Sequence, residues 1–248
     1  MGHTPIPTST VYVDTETGGL RPKDRPWEIA LVVTHGVGTD LSHTANDGQD
    51  ELYVFHVADF DQSNADPQAL RMSGFYDRHP MYARDEATRS CSSTCFPPHA
   101  GMMMNNAGIR LCLNRHGLSE EASHLDVHHV IDHEACIARQ IDALFRDRHV
   151  VACNPVYDVP RIERLLNRGG FALTSHYRPH CATGAAAIAL GLHPASPNAE
   201  LGAALGVSRD QFGAAHGALP DALYARALDN AARAHVADLH ARAFGANA

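Results

Sequence analysis

The ten residues Val11-Tyr12-Val13-Asp14-Thr15-Glu16-Thr17-Gly18-Gly19-Leu20 constrain this chain more than any other stretch. Three residues suited to a strand run into two acids spaced by two, and a glycine pair then breaks the strand. Side chains alternate faces along a strand, so Asp14 and Glu16 project the same way. Two carboxylates side by side at a strand end repel each other unless a cation sits between them. An oxygen-only ligand set suits Mg²⁺ or Mn²⁺ better than Zn²⁺. An arbitrary D-x-E triplet is more often a solvated strand end. The apolar run before this one and the Thr17-Gly18-Gly19-Leu20 after it set it apart.

At 248 residues the chain suits one large domain better than two small ones. Its 44% hydrophobic and 19% charged content is that of an ordinary globular protein. No run approaches the length of a membrane span, so no membrane partner is expected. Met1 to Pro7 has neither a basic start nor an apolar core, so no secretory leader is expected. The expected location is therefore the cytoplasm, with the six cysteines reduced. A formal net charge of −8 argues against a sequence-independent nucleic-acid binder with a large basic surface. It leaves room for an enzyme acting on a phosphodiester, because bound metal supplies positive charge locally. Lys23 is the only lysine; with the high alanine content this reads as coding bias rather than function.

Residues 9–14, 27–34 and 51–57 read as strands joined by short links, an antiparallel meander. Asp66-Pro67 opens a short helix. Helices are expected over 132–146, with Ile137, Ile141 and Leu144 on one face, and over 156–168, closed by Gly169-Gly170. A short buried strand, 149–153, lies between them. Further helices are expected at 183–191, 198–205 and about 218–245. Strands first, then alternating helix and strand, imply an α/β fold with a mixed central sheet flanked by helices. The domain spans 8–246, and residues 78–130 read as an irregular insertion or cap within it.

Two later segments complete the first. Asn154-Pro155-Val156-Tyr157-Asp158 places Asp158 in a first helical turn just past a strand end, where ligand sites gather in α/β sheets. The helix dipole alone also favours a carboxylate there. His216-Gly217-Ala218-Leu219-Pro220-Asp221 sets His216 and Asp221 five apart. On one continuous helix they would diverge by roughly 140°. They share a site only if His216 sits on the loop before the helix, an arrangement that Gly217 and Pro220 suit.

The order D-x-E, N-x-x-x-D, H-x-x-x-x-D resembles the DEDDh branch of the DnaQ-like 3′→5′ exonucleases, and Trp27-Glu28-Ile29-Ala30 is similar to that family's second strand. The resemblance implies a ribonuclease H-like fold and two divalent ions, Mg²⁺ or Mn²⁺, held by Asp14, Glu16, Asp158 and Asp221. It makes His216 the general base. Thr17, Gly18 and Leu20 would hold the 3′-terminal nucleotide, and Asn154 would orient the site or contact substrate. The chain departs from the family at Gly18, where threonine is common, at Ala152-Cys153 in place of Gly-His, and at Tyr157 in place of phenylalanine. The expected substrate is a nucleic-acid 3′ end, single-stranded DNA before RNA, with nucleoside 5′-monophosphates released. A DNA polymerase or another replisome protein is the partner the resemblance suggests. The rival readings are a ribonuclease T-like 3′→5′ exoribonuclease and a non-catalytic nucleic-acid or replisome-binding module.

Three weaker signals stand beside these. Cys91-x₃-Cys95 and Cys112-x₃-His116 have spacings that could tie an insertion with structural Zn²⁺, though plain reduced thiols are the preferred reading. His124, His128, His129 and His133 read as a solvated face. Arg161, Arg164 and Arg168 follow Asp158 at helical spacing, so they either reach a phosphate backbone or lie on a solvated face.

Overall fold

The computed structural model describes residues 9–35, 50–82, 125–175, 178–213 and 216–245. Among them six strands form one mixed sheet: β1 (Thr10–Thr17), β2 (Pro26–Thr34), β3 (Glu51–Val57), β4 (Val127–Asp132), β5 (His149–Ala152) and β6 (His180–Cys181), in the order β4-β3-β2-β1-β5-β6. β1, β2 and β3 pair antiparallel, as the meander predicts. β4 joins β3 in parallel, and β5 and β6 extend the other side in parallel. The helices are α1 (Pro67–Met72), α2 (Phe75–Arg78), α3 (Glu134–Phe145), α4 (Pro155–Arg168), α5 (Ala182–Ala189), α6 (Asn198–Leu205) and α7 (Ala218–Phe244). None of the described helices is long and apolar enough to cross a membrane.

The sheet is buried on both sides, and the two sides have different owners. Val11, Val13, Ile29, Leu31, Phe55 and Val57 pack with Ile137, Ile141, Ile162 and Leu165 of α3 and α4. Tyr12, Ala30, Val32, Leu52 and Val54 pack with Leu219, Ala222 and Leu223 of α7. Central strands covered on both faces read as continuous apolar runs, as β2 does. The register slips between Glu16 and Thr17, where Thr17 faces Pro26. A bulge of this kind ends pairing and re-aims side chains at a sheet margin.

Two parts of the sequence reading need correction. Val127–Asp132 is a paired strand, so the region 78–130 ends in sheet and is not wholly irregular. The adjacent histidines hide its apolar alternation. His129 is therefore buried on β4, 3% exposed, and not part of a solvated face; His128 lies against the Tyr53 ring. Cys91, Cys95, Cys112, His116 and His124 lie outside the described residues.

Trp27 ties α2 to the sheet. It meets Phe75 edge-on at 5.2 Å, and its indole N–H donates to Ser73 Oγ at 3.2 Å. Replacing a buried tryptophan of this size by alanine costs about 3–5 kcal/mol. Trp27→Ala is expected to lose that much stability in denaturant unfolding, and a loss below 1 kcal/mol would contradict this packing.

Candidate metal-binding cleft

The alternation of β1 distributes the chemistry. Asp14 and Glu16 fall on the α7 side, and Asp221 reaches them from the first turns of α7. Oxygens of these three carboxylates lie within 4.8 Å of one another, close enough to share a cation. Thr15 and Thr17 fall on the α4 side. There Asp158 accepts the Thr15 backbone N–H at 3.1 Å and the Thr15 hydroxyl at 2.7 Å. The fourth acid thus comes from the opposite face, fixed to the residue between the first two. All four line one cleft of about 440 Å³, together with His216, Asn154, Tyr157, Thr17 and Leu20.

His216 stands before the helix, as its spacing to Asp221 requires, and its φ of 62° is left-handed. Gly217 caps α7 and its carbonyl accepts the Asp221 N–H at 3.0 Å. The facing wall is α1, begun by Asp66, whose carboxylate accepts the Gln68 N–H at 2.8 Å. The Asp66 N–H donates to Gly18 O at 2.6 Å, so α1 hangs from the end of β1. Gln68, Ala69, Met72 and Ser73 supply its lining.

Gly18 lies elsewhere. It borders a neighbouring hollow of about 300 Å³ with Lys23, Arg25 and Phe60. A Cβ on it would stand 3.0 Å from both Ala65 Cβ and Phe60 Cζ. Close packing against Ala65 and Phe60 suits glycine there. Arg161 is not available to a phosphate. It donates to Tyr157 O at 2.7 Å, Leu20 O at 3.2 Å and Arg21 O at 3.1 Å, and stacks 3.4 Å from the centre of the Tyr157 ring. The Tyr157 hydroxyl in turn lies 2.6 Å from Thr17 Oγ1. Arg168 pairs with Glu134.

Electrostatics at the cleft is strained by design of position. Burial and the charges of Asp158, Asp221 and Glu16 push the Asp14 carboxyl well above the usual carboxylate range. Burial and Glu28, which faces Glu16 across β1 and β2, push Glu16 up to about 9. Burial takes Asp158 up to about 7 against the two Thr15 hydrogen bonds. Arg209 answers part of this charge by pairing with Asp221, a contact not readable from the motifs because Arg209 lies outside them. Crowded carboxylates that resist ionisation form a donor set for a hard cation, and Asp14, Glu16 and Asp221 could bind one.

No family model and no curated protein matches this chain.

A carboxyl whose pKa is raised in the folded state keeps a proton that the unfolded chain releases. Its penalty is absent below the ordinary carboxylate pKa of about 4, grows above it, and is complete above the folded value. Without divalent ions the cluster should thus lower stability progressively from about pH 4 through about 7 for Asp158 and about 9 for Glu16. Asp14→Asn should melt higher than wild type at pH 8 in chelator, by about 2–4 °C per kcal/mol of repulsion relieved. The gap should close at pH 4. A variant that melts lower at pH 8 would contradict this electrostatic account.

Proposed function

We propose that this chain is a metal-dependent 3′→5′ exonuclease with a ribonuclease H-like fold, taking a single-stranded DNA 3′ end and releasing nucleoside 5′-monophosphates. The observation that carries the proposal is that Asp14, Glu16, Asp158, His216 and Asp221, five residues from three separate motifs, line one cleft. A binding module has no need of all five. The mixed sheet with helices on both faces is consistent with the fold.

In this reading Asp14, Glu16, Asp158 and Asp221 would hold two divalent ions, Mg²⁺ or Mn²⁺, which would supply activation of the attacking water and charge stabilisation for the leaving oxygen. His216 accepts the proton as the water oxygen bonds to phosphorus; imidazole suits this at neutral pH. The bond from phosphorus to the 3′ oxygen of the preceding nucleotide breaks, leaving that strand with a 3′ hydroxyl. Asp158, pinned by Thr15, keeps its carboxylate in a fixed place. Leu20, 83% exposed, and Met72, 59% exposed, offer apolar surface at the cleft. Apolar contact with a base face on such surface needs no particular sequence. Asn154 offers a polar side chain for the terminal nucleotide, whereas the Thr17 hydroxyl is taken up by Gly19 O and Tyr157.

Asp14→Ala and Asp221→Ala are expected to abolish Mg²⁺-dependent mononucleotide release from a 3′-labelled single strand, with the fold retained. His216→Ala should lower the rate about 10²–10⁴-fold, the usual worth of a general base, while Mn²⁺ still binds. Parallel RNA and duplex DNA substrates set the specificity. Faster release from RNA would favour an exoribonuclease, and DNA binding without release by the wild type would refute the proposal.

A further inference from the structure

We propose that Arg78 is the positioning residue for His216, joining the carbonyl of His216 to the buried carboxylate of Glu28 so that the imidazole is held in the cleft. Arg78 ends the single turn of α2 and is almost covered, its side chain 9% exposed. One guanidinium nitrogen, Nη1, lies 3.1 Å from Glu28 Oε2. The other, Nη2, donates to His216 O at 2.7 Å and also to Ser73 O. The guanidinium carbon sits 5.2 Å from the centre of the Trp27 ring. Glu28, in turn, lies 3.3 Å from His56 Nε2 and accepts the Ala218 N–H at 3.3 Å. The residues on both sides of Gly217 are thus held by one ion pair, His216 through Arg78 and Ala218 through Glu28.

Two further observations point the same way. A Cβ on Gly217 would stand 2.8 Å from Arg78 Nη1 and 3.1 Å from Pro220 Cδ. The chain therefore passes so close to the guanidinium that a side chain at position 217 would push it aside. His216 has φ of 62°, a backbone state that a non-glycine residue keeps only when its surroundings impose it. The carbonyl that Arg78 holds belongs to that residue. The contact needs a planar fork with several donors, which arginine has; an ammonium is a point charge on a flexible stem. Burial opposes ionisation of Glu28, yet Arg78 and His56 hold its carboxyl down to about 2, so the anchor stays charged across the working range.

What His216 does in the cleft rests on the exonuclease reading; the clamp itself rests on the contacts above. Arg78→Lys keeps a cation against Glu28, which protects the fold, but cannot span both acceptors in the same way. It is expected to lower kcat on single-stranded DNA on the order of 10–100-fold, with KM and Mn²⁺ affinity within about twofold of wild type. In a His216→Ala background it should cost nothing further, because it acts through the residue already removed. The His216 imidazole carbon-bound proton, identified in NMR spectra by its loss in His216→Ala, should shift in Arg78→Lys and in Gly217→Ala. Unchanged kcat with an unchanged His216 resonance would overturn the proposal, as would a loss that multiplies with that of His216→Ala. A wild type without nuclease activity would refute the exonuclease reading instead, and the resonance would still decide whether Arg78 places His216.

Discussion

A strand covered on both faces governs this structure. β1 has α7 on one side and α3 and α4 on the other. Its strict alternation sends Asp14 and Glu16 towards one set of helices and Thr15 and Thr17 towards the other. The same alternation that packs Val11, Tyr12 and Val13 delivers acids to Asp221 and a hydrogen-bond donor to Asp158. A shift of one residue would exchange every one of these roles, so the core fixes the register and the register fixes the cleft.

The second theme is management of negative charge. Glu16, Glu28, Asp14, Asp158 and Asp221 crowd the end of β1 and its neighbours, and each is answered differently. Thr15 gives Asp158 two hydrogen bonds, Arg209 pairs with Asp221, and Arg78 with His56 answers Glu28. Asp14 feels the charges of Asp158, Asp221 and Glu16, with Arg209 as the smallest and opposing influence. That imbalance is where a divalent cation would act most strongly. It also separates the acids by role: Glu28 is held ionised inside the scaffold, whereas Asp14 and Glu16 resist ionisation until something compensates them.

Much of this was legible in the sequence, because local rules decide it. The bounds of β3, the proline start of α1 at Asp66-Pro67 and the glycine pair after α4 follow from turn and capping chemistry that acts over a few residues. The five candidate residues were marked by the order of three short motifs and by the resemblance those motifs carry, and the fold sets them in one cleft. Contacts set by tertiary approach were not legible. Asp158 binding Thr15, 143 residues away, and Arg78 reaching His216 across 138 have no local signature. Gly18 reads as a lost hydroxyl in the sequence, and the close approach of Phe60 and Ala65 to it has no local signature either. β4 is masked in the sequence because His128 and His129 interrupt its apolar pattern, although His129 is buried in the strand.

The proposed chemistry requires that the acids at the end of β1 form a divalent-cation site. Calorimetric titration of the metal-free protein with Mn²⁺ at pH 8 tests it most directly. The account predicts saturable binding in wild type that is lost in Asp14→Asn and in Asp221→Asn. Binding that never saturates, or that both variants retain in full, would contradict it.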